Sequence, residues 1–157
     1  MVTILGIDPG SRTTGFGIIN SDGNKHQYLA SGCIKLTQTE FPLRLRQIFV
    51  ALSEIITTYN PQKAAIEQVF MHTNANSALK LGLARGAAIT ALVVNDIPVA
   101  EYSPRQIKQA IVGYGAASKA QVQHMVKSLL KLTGEIQEDA ADALAIALYH
   151  AHDLRRQ

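Results

Sequence analysis

Three β-prone runs follow one another between Val2 and Thr37 with only turn-length connections, and that opening constrains the fold more than any other feature. Val2–Ile7 is apolar and leads into Asp8-Pro9-Gly10-Ser11, where Asp and Pro suit the first positions of a tight turn. Thr14–Asn20 is a second run, thinned by Gly15 and Gly17. Ser21-Asp22-Gly23-Asn24 then carries a hairpin signal before a third run over His26–Thr37. Together they predict a three-stranded antiparallel meander. Beyond it, strands and helices alternate. A helix with Pro42 near its first turn and one apolar stripe through Tyr59 stops at Asn60-Pro61. A short strand, Lys63–Val69, contains Glu67, and a second helix spans about Ser77–Asn95. A fifth strand covers Ile97–Glu101, and helices are expected at Ser103–Ile111, Ser118–Leu132 and Glu138–Leu154. The pattern predicts an α/β architecture: a five-stranded mixed sheet, its first three strands antiparallel, with helices on both faces.

With 157 residues the chain is expected to form a single domain over 1–157. A hydrophobic share of 47%, a mean hydropathy of +0.07 and no low-complexity run argue against disorder. The lone Cys33 cannot close an internal disulfide. The longest stretch without a charged residue is Gln68–Leu79, twelve residues, against about 20 for a membrane span. The N-terminus has no basic leader. A soluble, cytoplasmic protein with no membrane partner is expected. Net charge is only +3, but from Tyr102 to Gly134 there is no acid, while Arg105, Lys108, Lys119, Lys127 and Lys131 are present. Such a one-signed stretch suits a polyanion, although a solvated helical face would look similar.

Four of the twelve acids stand in apolar or small-residue surroundings: Asp8, Glu67, Asp139 and Asp142. Each has an ordinary structural alternative. Asp8 can begin a turn, Glu67 can end a strand with its head in water, and Asp139 can serve a helix N-terminus. Asp142 is harder to explain that way, because residues three apart on a helix are neighbours and like charges there repel. If Ala140, Leu144, Ala147 and Leu148 form the buried stripe, Asp139 and Asp142 share an adjoining edge. Acids at the ends of two central strands and a pair on a packed helix can then converge at one sheet edge. An all-carboxylate, histidine-poor site suits hard cations such as Mg²⁺ or Mn²⁺, which can clamp both oxygens of a phosphodiester displacement. An acidic metal site beside a basic surface is what a nuclease requires.

Other chemistries fit less well. There is no His-Glu-x-x-His pairing for zinc, no Walker A sequence and no nucleophile-elbow motif. Gly6-Ile7-Asp8-Pro9-Gly10 followed by Thr13-Thr14-Gly15 looks like the first phosphate loop of the actin and sugar-kinase ATPases, but that fold needs two such lobes.

Four segments in order make the sequence resemble the RuvC family of crossover junction endodeoxyribonucleases, the Holliday junction resolvases. They are Gly6-Ile7-Asp8-Pro9-Gly10, Ala65-Ile66-Glu67-Gln68-Val69-Phe70, Ser77-Ala78-Leu79-Lys80-Leu81-Gly82 and Asp139-Ala140-Ala141-Asp142-Ala143-Leu144-Ala145. The match runs from Met1 to about His152. It implies an RNase H-like fold, a homodimer and symmetric, Mg²⁺-dependent nicking of four-way DNA junctions, two Mg²⁺ per site with Mn²⁺ able to substitute. The branch-migration proteins RuvA and RuvB are the implied partners. Asp8, Glu67, Asp139 and Asp142 match the family's metal-binding carboxylates, the last being histidine in some relatives. Lys108 and Lys119 match residues implicated in DNA contact, and Phe70 matches an aromatic placed beside the junction's exchange point, where base stacking is worth about 1–3 kcal/mol.

The line Ala78, Gly82, Gly86, Thr90 lets another backbone approach closely. Given the family's dimer, helix Ser77–Asn95 is expected to serve both its own sheet and a subunit contact. Two rivals remain at this stage: a junction-binding protein without catalysis, and a ribonuclease H-like enzyme acting on RNA–DNA hybrids.

Overall fold

The computed structural model describes residues 1–69, 74–113 and 117–157. Strands β1 (Val2–Asp8), β2 (Thr13–Ser21) and β3 (His26–Lys35) form the antiparallel meander, and β4 (Lys63–Glu67) and β5 (Val99–Tyr102) add to it in parallel. The sheet order is β3-β2-β1-β4-β5, so β1 is central. Among the described residues the helices are α1 (Phe41–Tyr59) between β3 and β4, α2 (Ala75–Val94) between β4 and β5, and then α3 (Pro104–Val112), α4 (Lys119–Leu130) and α5 (Glu138–Arg156).

The strands' period of two divides the apolar side chains between two cores. Leu5, Ile7, Ile18, Ala64 and Ile66 pack with α1 and α2. Ile4, Ile19, Ala65 and Tyr102 pack with α3, α4 and α5 on the opposite face. Helices cover both faces, as the alternation predicts.

Element boundaries shift where local hydrogen bonding outweighs propensity. The β2–β3 connection is a four-residue loop, not a two-residue hairpin turn. The Asp22 carboxylate accepts the N–H groups of Asn24 and Lys25 at 2.9 and 2.8 Å, and Gly23 takes φ +94°. Helix α2 starts before Ser77 because Asn74, not Ser77, is its cap: the Asn74 side chain accepts the Ser77 N–H. Strand β5 starts later than expected, since the Ile97 N–H is still engaged by the Leu92 carbonyl at the helix end. Capping boxes at Ser103/Gln106 and Ser118/Gln121 start α3 and α4.

Helix α5 departs most from expectation. Instead of one buried stripe, ten of its residues are buried, Ala140, Ala141, Ala143–Ala147, Leu148, His150 and Ala151. The sheet lies under it and α3 and α4 lie against it. Its alanines are there because only small side chains fit on all sides at once.

Helix α2 is the other exception. Among the described residues it is the one helix long and apolar enough to cross a membrane by length and composition. Its buried side, Ala84, Ala88, Ala91 and Leu92, is sealed into the core beside α1. The line Gly82, Gly86, Thr90 faces solvent, not the sheet, and Leu79, Leu83, Val93 and Val94 are more than half exposed beside it.

Candidate active site

Alternation along the central strands decides where two of the acids point. In β1, Ile4 and Gly6 face α5, so Asp8 does too; in β4, Ala65 faces α5, so Glu67 does. The parallel register Ile7↔Ile66 then makes Asp8 and Glu67 neighbours at the ends of adjacent strands.

Three glycines bring the helical acids to the same place. Gly6 and Gly17 are cross-strand partners, and Gly15 lies opposite Asp8. A Cβ on Gly6 would collide with the Ala143 carbonyl, one on Gly17 would come within 2.7 Å of the Leu144 side chain, and one on Gly15 within 2.5 Å of the Asp139 carbonyl carbon. The missing side chains form a groove in which the first turns of α5 lie directly on β1 and β2. In the sequence alone, Gly15 and Gly17 only thin a strand. Their spacing with Gly6 was the available signal, but it becomes legible only once the strands are registered.

The result is a cluster in which carboxylate oxygens of Asp8, Asp139 and Asp142 lie within 4.8 Å of one another, and Glu67 shares a side-chain hydrogen bond with Asp8. All four acids are partly buried. The electrostatic consequence is strong. Burial, and then the charges of Glu67, Asp142 and Asp139, push the Asp8 carboxyl far above the usual range. Burial and Asp142 also raise Glu67, countered by the Asp8–Glu67 hydrogen bond and by Lys108 and Lys119. Asp142 is pushed up to about 6 by burial, with Lys119 acting in the opposite direction.

The cluster forms the floor of a cleft of about 180 Å³, walled by Ile107, Val122, Ala145 and Ile146 and rimmed by Pro104, Lys108 and Lys119. Lys108 on α3 and Lys119 on α4 thus stand at the mouth of the acidic cleft. Lys119 is exposed and ion-paired with Glu138, and that hydrogen bond raises its pKa. Glu138 is not singled out by the sequence pattern, although its place in the first turn of α5, beside Asp139, is the available signal. Farther along α4, Lys127 and Lys131 line a second, open groove with His124. Phe70 lies outside the described residues.

Hard oxygen donors, crowded and under-neutralised, are what a hard divalent cation needs. Among the described residues, no nitrogen or sulfur ligand belongs to the cluster. The donor set fits such a cation.

The RuvC family model, crossover junction endodeoxyribonuclease RuvC, matches residues 4–150. The crossover junction endodeoxyribonuclease RuvC of Photobacterium profundum is 60% identical over 152 residues, spanning 97% of this chain and 88% of that protein. The Cronobacter sakazakii protein of the same name is also 60% identical, with the same coverage. In three dimensions the chain is similar to Thermus thermophilus RuvC in complex with Holliday junction substrate, with a TM-score of 0.93 and 34% identity over 99% of this chain and 96% of that one. The yeast mitochondrial Holliday junction resolvase Ydc2, at 16% identity and TM-score 0.69, shares the fold. The fold is RNase H-like. The chain belongs to the RuvC family of crossover junction endodeoxyribonucleases, nucleases that hydrolyse phosphodiester bonds in Holliday junctions.

Proposed function

We propose that this protein is a cytoplasmic homodimer, one domain per chain over 1–157, that nicks four-way DNA junctions symmetrically using Mg²⁺ held by Asp8, Glu67, Asp139 and Asp142. The observation that carries this reading is the convergence of four partly buried carboxylates in a cleft rimmed by two lysines. Grouped anions that only stabilised a fold would not be placed where they repel one another.

Two cations per site follow from the family resemblance, and Mn²⁺, which takes the same oxygen donors, is the substitute. When bound, the cation supplies Lewis-acid polarisation of the phosphodiester and charge opposite the developing oxyanion. The chain's own groups do the rest. Asp8, Glu67, Asp139 and Asp142 would hold the cation and fix where that charge sits. Lys108 and Lys119 draw the phosphates across the mouth of the cleft. Ile107 and Val122 line its wall and limit water. Phe70 is proposed to stack on or wedge between bases at the exchange point, following the resemblance of its segment.

The homodimer reading is supported by α2. Its solvent-facing side combines Gly82, Gly86 and Thr90, which allow close approach, with Leu79, Leu83, Val93 and Val94. Two sites related by a two-fold axis suit paired cuts on opposing strands of a junction. RuvA and RuvB, which would present the junction during branch migration, are the proposed protein partners.

The experiment presents a synthetic four-way junction, a plain duplex and an RNA–DNA hybrid, each with Mg²⁺ or EDTA. Paired nicks in the junction with Mg²⁺ alone are expected. Cleavage of the hybrid in preference, or junction binding without cleavage in Mg²⁺, would overturn the reading.

A further inference from the structure

We propose that Arg85 is a positioning residue for the acidic cleft: from α2 it holds the end of β4, and with it the carboxylate of Glu67. The inference rests on the reading of the four acids as cation ligands.

Ladder accounting identifies what Arg85 does. The N–H groups of Ala64 and Gln68 turn towards β5, bonding the carbonyls of Pro98 and Tyr102 at 3.0 and 2.8 Å. Alternation therefore turns the carbonyl of Glu67 the other way, towards β1. Pairing of β4 with β1 ends at Ile7↔Ile66. Continued by the same register, the residue of β1 due to donate to the Glu67 carbonyl is Pro9, which has no N–H. The strand would end on an unpartnered carbonyl at the residue whose side chain must be held most firmly.

The Arg85 guanidinium fills that gap. Its Nε–H donates to the Glu67 carbonyl oxygen at 2.9 Å, across a sequence separation of 18 residues. The other arm of the fork is ion-paired with Glu101, the β5 residue in register with Ile66. One side chain, 18% exposed, thus ties α2 to β4 and β5 at the end of β4 that carries Glu67. The planar fork suits the task because two donors at fixed angles serve two acceptors at once. Glu67 can meet Asp8 reproducibly only if the backbone carrying it does not fray.

Partners of this kind, one step removed from a cation, typically set affinity by 10–100-fold when lost. The test uses the full-length protein with Arg85→Gln, Arg85→Lys and Glu101→Gln variants. Mn²⁺ affinity is measured by calorimetry without DNA, nicking is followed against Mg²⁺ concentration, and junction binding is measured in EDTA. Arg85→Gln should weaken Mn²⁺ binding about 10-fold or more and raise the Mg²⁺ needed for half-maximal nicking in parallel. Junction affinity in EDTA should stay within roughly twofold of wild type, since Arg85 acts through Glu67 and not on DNA. Arg85→Lys keeps one donor for the carbonyl and should recover most of the Mn²⁺ affinity.

Unchanged Mn²⁺ affinity in Arg85→Gln would overturn the proposal. So would a Lys variant no better than Gln, or a defect confined to junction binding. If Arg85→Gln does not give a cooperative thermal transition, Glu101→Gln decides. It loosens the fork while leaving the Glu67 hydrogen bond, and it should weaken Mn²⁺ binding severalfold; wild-type affinity refutes the role. Asp8→Asn is measured alongside. If it too keeps full Mn²⁺ affinity, the ligand reading of the acids fails and the role of Arg85 falls with it. A loss in Asp8→Asn with none in the Arg85 and Glu101 variants sinks the Arg85 proposal alone.

Discussion

Replacing Gly15 by Ala adds one methyl group on the face where α5 meets the sheet. The new Cβ would stand 2.5 Å from the Asp139 carbonyl carbon, closer still to its oxygen, and 3.0 Å from the Asp139 side chain. Neither obstacle is the far end of a flexible chain: two of the three nearest atoms are α5 backbone. The Asp139 carbonyl oxygen would lie 2.1 Å away, so an ordinary contact of about 3.4 Å requires β2 and the first turn of α5 to separate by roughly 1.3 Å, an overpacking change that typically costs about 1–3 kcal/mol. Gly15 is paired with Asp8, so the separation carries Asp139 away from the strand that carries Asp8. Coordination tolerates displacements of only about 0.5 Å, and a misplacement near 1 Å can cost about 100-fold in rate. The expected variant folds, loses 1–3 kcal/mol by urea unfolding in EDTA, and nicks junctions about 100-fold more slowly with weakened Mn²⁺ binding. Gly32→Ala is the control, since its Cβ would meet only the ring of Phe16, at 3.0 Å, and a ring can tilt. Wild-type Mn²⁺ affinity and nicking in Gly15→Ala would refute the account of how the groove places the acids.

Asp8, Glu67 and Asp142 all have folded-state pKa values raised above their ordinary ones. The native state therefore holds more protons than the unfolded one, and metal-free stability should be greatest below about pH 4 for this cluster and fall as pH rises through the folded values. The rise of Asp142 from 3.8 to about 6 would be worth about 3 kcal/mol if unscreened, and about 1–2 kcal/mol after allowing for its partial exposure. Thermal unfolding in EDTA from pH 4 to 8 should show the decline, and saturating Mg²⁺ should flatten it. Lys108→Ala should lower the slope of log K against log salt for junction binding by about 0.9, whereas Glu138→Gln, which releases Lys119 from its ion pair, should tighten binding; titrations at several salt concentrations measure both. Leu83→Glu, at a side chain more than half exposed on α2, should leave the fold intact by circular dichroism and shift sedimentation from dimer to monomer.

The sheet and its helices were legible because the short connections of the first three strands and the later alternation leave few other arrangements. The cluster of acids was legible for a related reason: charges in apolar runs are expensive unless they are used. Three things were not. The burial of α5 on nearly every side is a tertiary effect, since a helix of alanines looks amphipathic or not according to what surrounds it. The groove of Gly6, Gly15 and Gly17 depends on register, which no local pattern in the chain states. The solvent-facing position of Gly82 and Gly86 could not be separated from packing on the sheet, because both need small residues at helical spacing. Glu138 and Arg85 were also missed. A charge that pairs with a lysine or caps a carbonyl 18 residues away looks in sequence like any other surface charge.

The central claim is that Asp8, Glu67, Asp139 and Asp142 are grouped to hold cations, at a cost to the empty fold. Asp8→Asn and Asp139→Asn keep nearly the same shape and remove one charge each. The decisive measurement is thermal unfolding in EDTA on the same protein samples whose nicking is titrated with Mg²⁺. If the acids are ligands, relief of repulsion leaves the metal-free variants as stable as wild type or more so, junction binding in EDTA persists or tightens, and nicking collapses. Glu67→Gln should follow the same pattern, and Asp142→Asn should do so more mildly, because Lys119 and Lys108 already offset part of its charge. Variants that unfold earlier than wild type yet nick at near wild-type rates in Mg²⁺ would show that the carboxylates support the fold and not the reaction.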